Sequence, residues 1–363
     1  MIRLLIVDDS PLMRRLLVDI FTSAGDFVVE TARNGQEALE ALPRFKPQVI
    51  TLDIHMPGMD GLACLDQIML QWPCPVVMLS SLTAEGASET LDAMALGAID
   101  FVTKPKGPVS LEIDAVAPDL IEKVRSAASV KISKATRLRE RVRARATATP
   151  ARRGSRLAAA VPSLSFEGGL GPQMGVVLVG CSTGGPAALD VLLGGLPANF
   201  PWPVVIAQHM PATFTGPLAR RLDKICPLKI SEVDKPVQLE PGNAYIGRGD
   251  ADLLLSRRHG ALIAMAAPMS SDHYWHPSVE RLVESAMRQV APEHLIGVLL
   301  TGMGTDGASA MTELKTLGGQ TIAESAETAV VWGMPGALAE NGGATLIRPL
   351  EQIPGALIAL LSQ

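Results

Sequence analysis

Val176-Val177-Leu178-Val179-Gly180-Cys181-Ser182-Thr183-Gly184-Gly185-Pro186 is the stretch to which the rest of the chain is tied. Its first four residues are a continuous apolar run, the pattern of a strand buried on both faces in a parallel sheet. The following Ala187-Ala188-Leu189-Asp190-Val191-Leu192-Leu193 reads as a helix. Pro186 suits the first helical turn, where a missing N–H costs nothing. Ser182 therefore falls on a tight strand-to-helix turn whose backbone N–H groups are open to negative charge. A nucleophile and a phosphate-binding loop both fit such a turn.

The other strand ends discriminate between them. Val204-Val205-Ile206-Ala207 is a strand ending at Gln208-His209-Met210-Pro211, with a helix over about 214–222. Leu228 to Ile230, Asn243 to Ile246, Asp252 to Leu255 and Ala261 to Ala264 are short runs separated by turns, expected as inserted β-hairpins. Residues 279–290 have helical periodicity. Ile296-Gly297-Val298-Leu299-Leu300 is a strand ending at Thr301-Gly302-Met303-Gly304-Thr305-Asp306-Gly307, before a helix over about 308–317. A strand at 320–323 and a helix near 351–361 close this region.

Ser182, His209 and Asp306 thus end three separate strands, on the edge where parallel sheets place their chemistry. A serine needs a base within hydrogen-bond reach. An imidazole supplies it near neutral pH, and a carboxylate fixes the tautomer and steadies the positive charge. Backbone amides around Thr183 or Met303 would stabilise an oxyanion, at roughly 3–4 kcal/mol per donor. The chain order Ser…His…Asp is not that of the α/β-hydrolases. A nucleotide cradle would need G-x-G-x-x-G or G-K-[ST], and neither is present. Cys181, a rival nucleophile, ends the strand where a small thiol usually packs. His273 and His276, beside Asp272, have a loose metal-like spacing, but no residue set completes four ligands, so no cofactor is expected in this region.

The N-terminal part repeats the alternation five times. Strands at 2–7, 27–29, 49–52, 76–79 and 99–102 alternate with helices, which implies a doubly wound parallel sheet. Asp8 and Asp9 follow the first strand, Asp53 the third, Ser80 the fourth and Lys104 the fifth. Three carboxylates at one edge repel unless a cation sits among them, and hard oxygen ligands suit Mg²⁺. A lysine and a serine opposite them suit an added phosphoryl group.

At 363 residues the chain has room for two or three domains. Residues 126–172 read as a linker. Between Lys131 and Arg156 ten Lys or Arg face one acid, Glu140, while Ala, Thr, Ser, Pro and Gly fill the rest. Aromatic residues for base stacking are nearly absent there, and net charge is −5, so no nucleic-acid partner is expected. No apolar run approaches the ~20 residues of a membrane span. Asp8 and Asp9 break the N-terminal apolar stretch, which argues against a signal peptide. Cys64, Cys74, Cys181 and Cys226 are scattered, so a reduced, cytoplasmic protein is expected.

Val7-Asp8-Asp9-Ser10, Asp53-Ile54-His55-Met56-Pro57-Gly58-Met59-Asp60-Gly61 and Lys104-Pro105 resemble a two-component response-regulator receiver domain. That resemblance implies phosphorylation of Asp53 by a histidine kinase, and Mg²⁺ at Asp8, Asp9 and Asp53 with the backbone carbonyl of His55. It also implies Ser80 as the switch hydroxyl and Lys104 as the phosphoryl-binding lysine. Gly180-Cys181-Ser182-Thr183-Gly184-Gly185, Gln208-His209-Met210 and the 301–307 loop resemble the chemotaxis protein-glutamate methylesterase (CheB) family. The implied roles are Ser182 as nucleophile, His209 as base and Asp306 as its orienting acid, with Thr183 and the Met303 amide near the oxyanion. The implied substrates are glutamate γ-methyl esters, and also glutamines, of methyl-accepting chemotaxis receptors. The organisation expected is an α/β chain of two doubly wound parallel-sheet domains: a flavodoxin-like receiver at 1–125, the basic linker at 126–172, and a Rossmann-like catalytic domain with a β-hairpin insertion at 173–363.

Overall fold

The computed structural model describes residues 1–80, 83–104, 113–130 and 175–362, with the backbone alone at 84–85 and 113–116. The chain divides into two compact units, Met1–Leu157 and Ala158–Gln363. Residues 131–174, most of the expected linker, lie outside the described residues, as does Pro105.

The first unit runs β1 (Ile2–Val7), α1 (Pro11–Ser23), β2 (Phe27–Ala32), α2 (Gly35–Phe45), β3 (Val49–Asp53), α3 (Gly61–Gln71), β4 (Val76–Ser80), α4 (Ala84–Ala95), β5 (Asp100–Thr103) and α5 (Ile113–Ser129). All pairings are parallel, in the order β2-β1-β3-β4-β5. Every residue of β3 and β4 is buried, because helices cover both faces of such a sheet. Ser10 starts α1 by accepting from the Met13 N–H, and Pro11 follows at the position that suits it. Asn34 and Asp60 cap α2 and α3 in the same way. α5 carries the first unit into the stretch read as linker and ends at Ser129.

The second unit runs β6 (Val176–Cys181), α6 (Gly185–Gly194), β7 (Val204–Gln208), α7 (Ala212–Ile225), β8 (Lys229–Val233), β9 (Val237–Gln238), β10 (Asn243–Gly247), β11 (Asp252–Arg258), β12 (Ala261–Ala267), α8 (Val279–Met287), β13 (Leu295–Leu299), α9 (Ala308–Thr316), β14 (Gln320–Glu324), α10 (Met334–Glu340), β15 (Leu346–Arg348) and α11 (Ile353–Leu361). Seven strands form one parallel sheet in the order β15-β14-β13-β6-β7-β10-β8. From β6 the chain builds outward on one side through β7, then returns to β13 on the other. The crevice at that switch is where open parallel sheets bind ligands.

The expected α/β fold is present, but the insertion is smaller than the sequence suggests. β8 and β10, read as hairpin strands, join the main sheet in parallel, with Ala244 opposite both Val204 and Ile230. Only β11 and β12 form the antiparallel hairpin, turning at His259-Gly260, with β9 added to its edge. Runs of four or five residues carry too little periodicity to separate the two arrangements. β15 and α10 escape the sequence reading because both are short and β15 is half exposed.

α8 and α9 seat the core of this unit. Val279, Leu282, Val283 and Ala286 are buried with Leu178 of β6, Leu299 of β13, and Met311 and Leu314 of α9. α8 comes so close to β6 that a Cβ on Gly180 would stand 2.6 Å from Val279 Cγ1 and 2.8 Å from Leu299 Cδ1. Gly180→Ala should therefore overpack the core and lower stability by about 1–3 kcal/mol, read as an earlier unfolding transition of the second unit in calorimetry.

Candidate active site

β13, β6 and β7 are neighbours in the sheet, so the loops that follow them meet. Cys181 and Gln208 are register partners on β6 and β7, and the His209 N–H donates to the Cys181 carbonyl at 3.0 Å. Ser182 and His209 are the next residues along these two strands, whose axes lie about 4.8 Å apart. From the other side, the Ser182 N–H donates to the Thr301 carbonyl at 3.0 Å. A Cβ on Gly302 would stand 2.8 Å from Ser182 Cβ, so only glycine lets the loop lie flat on the serine. That contact carries buried Met303 to the same spot. The Thr301 hydroxyl donates to the carbonyl of buried Thr183 at 2.9 Å, closing the turn.

Asp306 reaches the imidazole from the same loop. Its Oδ2 lies 2.8 Å from His209 Nε2, and both side chains are nearly buried, at 10% and 1% exposure. With Nε2 donating to the carboxylate, the lone pair of the ring sits on Nδ1, which is buried and has no partner among the described residues. Asp306 also accepts from the Val279 N–H at 2.7 Å, the Ser278 hydroxyl at 3.0 Å and the Glu280 N–H at 3.2 Å. Burial pushes its carboxyl up, but His209 and these donors outweigh that and hold it below the usual carboxylate range. Glu280 returns the contact: its carboxylate accepts from the Ser309 and Ala310 amides at 3.0 and 2.6 Å. Each of α8 and α9 thus has its N-terminus satisfied by an acid from beside the other, where the helix dipole favours negative charge.

Several supporting residues were not legible from the sequence. Gln208 donates from Nε2 to the carbonyls of Ser182 and His209 at 3.0 and 3.1 Å, while its Oε1 accepts from the Cys181 thiol at 3.0 Å. Burial, and the nearby charge of Glu324, push that thiol far up, so Cys181 holds no thiolate. Trp275 stacks on His209 with ring centroids 4.9 Å apart and planes 8° from parallel. His276, whose spacing alone completes no metal site, pairs through Nδ1 with Asp252 Oδ1 at 2.9 Å. Among the described residues, one group of carboxylates, Asp8, Asp9 and Asp53, has ligand spacing.

That group lies in the first unit, at the carboxyl ends of β1 and β3, with its oxygens within 4.8 Å of one another. Asp8 and Asp53 are buried and Asp9 is exposed. Lys104 Nζ bridges Asp8 Oδ2 at 2.8 Å and Asp53 Oδ2 at 2.7 Å. Burial, reinforced by Asp8, raises the Asp53 carboxyl above its ordinary range despite Lys104. Burial works against the Lys104 charge too, but the two acids prevail and raise its pKa. The His55 N–H donates to Asp53 Oδ1 at 3.3 Å, while its imidazole turns out to Glu89 at 3.2 Å. The Ser80 hydroxyl faces α4, donating to the Gly86 carbonyl at 3.3 Å and accepting from Thr90 Oγ1 at 2.6 Å. No helix among the described residues is long and apolar enough to cross a membrane.

Both units have known relatives. A CheB methylesterase family model matches residues 177–357, and a response regulator receiver domain model matches residues 4–114. The chain is 55% identical to a protein-glutamate methylesterase/protein-glutamine glutaminase of Rhodopseudomonas palustris strain BisB18, over 99% of this chain and 98% of the relative. It is 49% identical to another of that name from Rhodospirillum rubrum, over 100% and 97%. The crystal structure of the Thermotoga maritima CheB methylesterase catalytic domain aligns with 52% of this chain and 99% of its own, at 38% identity and a TM-score of 0.50.

One buried acid at this edge gives a test by pH. Glu324, at the end of β14, accepts from the Thr301 N–H at 2.8 Å, and burial raises its pKa to about 7 against that bond and one from Thr328. A carboxyl whose folded pKa lies above its unfolded one binds more protons when folded, so stability falls as pH rises between the two values. Glu324→Gln keeps the acceptor and removes the titration. The drop in melting temperature of the second unit between pH 5 and pH 8 should shrink in this variant, and a calorimetric pH series measures it.

Proposed function

This chain belongs to the CheB methylesterase family, joined to a response regulator receiver domain, and we propose that Ser182, His209 and Asp306 carry its chemistry. The reaction is removal of methyl groups from glutamate γ-methyl esters, and deamidation of glutamines, on methyl-accepting chemotaxis receptors. Residues 173–363 form the catalytic domain, 1–125 the receiver, and 126–172 the linker between them.

The observation that carries the assignment is the 2.8 Å His209–Asp306 pair beside Ser182, with the free ring lone pair on Nδ1. His209 Nδ1 takes the proton of Ser182 Oγ as the oxygen attacks the ester carbonyl. Positive charge that develops on the ring is steadied by Asp306, which is ionised throughout the neutral range because its pKa is held low. The oxyanion is met by the amides near Thr183 and Met303. The imidazolium returns its proton to the leaving oxygen, and methanol departs. Water, activated by the same base, then releases glutamate from the seryl ester. With a glutamine side chain the leaving group is ammonia.

The receiver regulates this chemistry. Asp8, Asp9, Asp53 and the His55 backbone carbonyl are oxygen donors of the kind that holds Mg²⁺, and the converging carboxylates fit that charge. When bound, the cation neutralises the charge of a phosphoryl group and of the acids around it. Asp53 takes the phosphoryl group from a chemotaxis histidine kinase. Lys104, already between Asp8 and Asp53, pairs with the new oxygens, and Ser80 exchanges its α4 partners for them. A coupling of roughly 1–3 kcal/mol is the usual scale for such control.

Methanol release from methylated receptor tests the catalytic set. Ser182→Ala should abolish it, and Asp306→Asn should lower kcat by about 10³–10⁴-fold. Wild-type rates in Ser182→Ala would reject the nucleophile. For control, a small phosphodonor with Mg²⁺ should raise the wild-type rate and leave Asp53→Asn unmoved. An Asp53→Asn protein that still responds would remove Asp53 as the phosphoacceptor.

A further inference from the structure

A segment between β12 and α8, residues 268–278, lies over the imidazole of His209. It is tied down at both shoulders by one buried carboxylate, Asp252. Oδ2 accepts from the Ser270 N–H at 3.0 Å and from Arg281 Nη1, and Oδ1 accepts from the Ser278 N–H at 3.1 Å and pairs with His276 Nδ1 at 2.9 Å. Arg281 also donates to the Pro268 carbonyl at 3.2 Å. Burial works against the Asp252 charge, but these donors overcome it and hold its carboxyl below the usual range. Between the shoulders, Trp275 lays its indole over His209, nearly parallel, with 4.9 Å between centroids. Tyr274, itself largely exposed, meets Trp275 edge-on at 4.9 Å. Gly304 of the 301–307 loop lies beside the indole, since a Cβ there would stand 4.0 Å from Trp275 Nε1.

We infer that Trp275 is a positioning residue whose indole face stabilises the imidazolium that His209 becomes during acyl transfer. The inference rests on His209 being the base. An aromatic face attracts a cation through its quadrupole, and more strongly where water is excluded. The His209 side chain is 1% exposed, so the ring sits in that regime. The neutral ring gains little from the stack, whereas the charged ring gains the full attraction. An interaction stronger in the transition state than in the ground state raises kcat rather than lowering KM.

The groups around His209 set the background. Asp306, from the loop after β13, is in direct contact. Cys181 at the end of β6 is a protonated thiol turned to Gln208. Glu280 stands behind Asp306, and the His276–Asp252–Arg281 set behind Ser278. Exposed Arg248 follows β10, next to Gly249, which packs on Met210–Ala212. None of these contacts is made by Trp275.

The experiment compares wild type with Trp275→Phe, which keeps a smaller aromatic face, and Trp275→Leu, which keeps apolar cover without one. Nitrogen NMR titration of the full chain follows the His209 ring, assigned by its loss in His209→Gln. The pKa should fall in the order Trp, Phe, Leu, by about one pH unit for Leu. The acid limb of kcat/KM for methanol release should move with it. In Leu, kcat should fall about tenfold at an unchanged KM. A pKa that stays put or rises in Leu overturns the proposal, because cover alone excludes water and favours the neutral ring. A pKa that follows the predicted order while the acid limb does not move removes the premise instead: the stack exists, but His209 is not the base. Should Leu fold poorly, the shift in Phe, about half as large, decides by the same signs.

Discussion

A carboxylate taken out of water must be ringed by donors, and Asp306 meets that demand with four donors from three parts of the second unit. His209 comes from the end of β7, the Ser278 hydroxyl from the end of the covering segment, and two amides from the first turn of α8. Its own loop leads into α9, whose first turn is satisfied in return by Glu280. The helices that build the core are therefore joined at the point where the imidazole is aimed. How α8 and α9 pack therefore helps to set the orientation of the ring.

The two units use one placement rule for different ends. In each, a parallel sheet delivers functional side chains to the carboxyl ends of its strands. In the first unit the edge gathers negative charge and sets Lys104 within it. In the second it gathers a hydroxyl, an imidazole and an acid, and closes them under apolar and aromatic cover.

What could be read from the amino acids was the strand ends. Val176–Val179 and Val204–Ala207 are apolar runs that stop abruptly at Ser182 and at Gln208-His209, and the eye needs only periodicity to find them. The same holds for Asp8, Asp53 and Lys104. The supporting residues escaped for a physical reason. Trp275, Asp252, Gln208 and Glu324 act through contacts between distant segments, and segment 268–278 has no repeating pattern at all. The spacing of His273 and His276 is visible in the sequence but their partners are not; His276 has a buried aspartate 24 residues away. β8 and β10 were misjudged because a short strand looks alike in a hairpin and at the side of a parallel sheet.

The thiol next to the serine has a chemical consequence of its own. Peroxides and alkylating agents attack thiolates far faster than thiols, and a sulfur nucleophile would trap an ester as a thioester. Cys181 is walled in by the strand, hydrogen-bonded to Gln208 and kept protonated. Under the proposed chemistry the strand end offers one reactive heteroatom, the Ser182 oxygen, beside a softer neighbour silenced by its surroundings. Chemoselectivity at this turn comes from packing as much as from the residues that react.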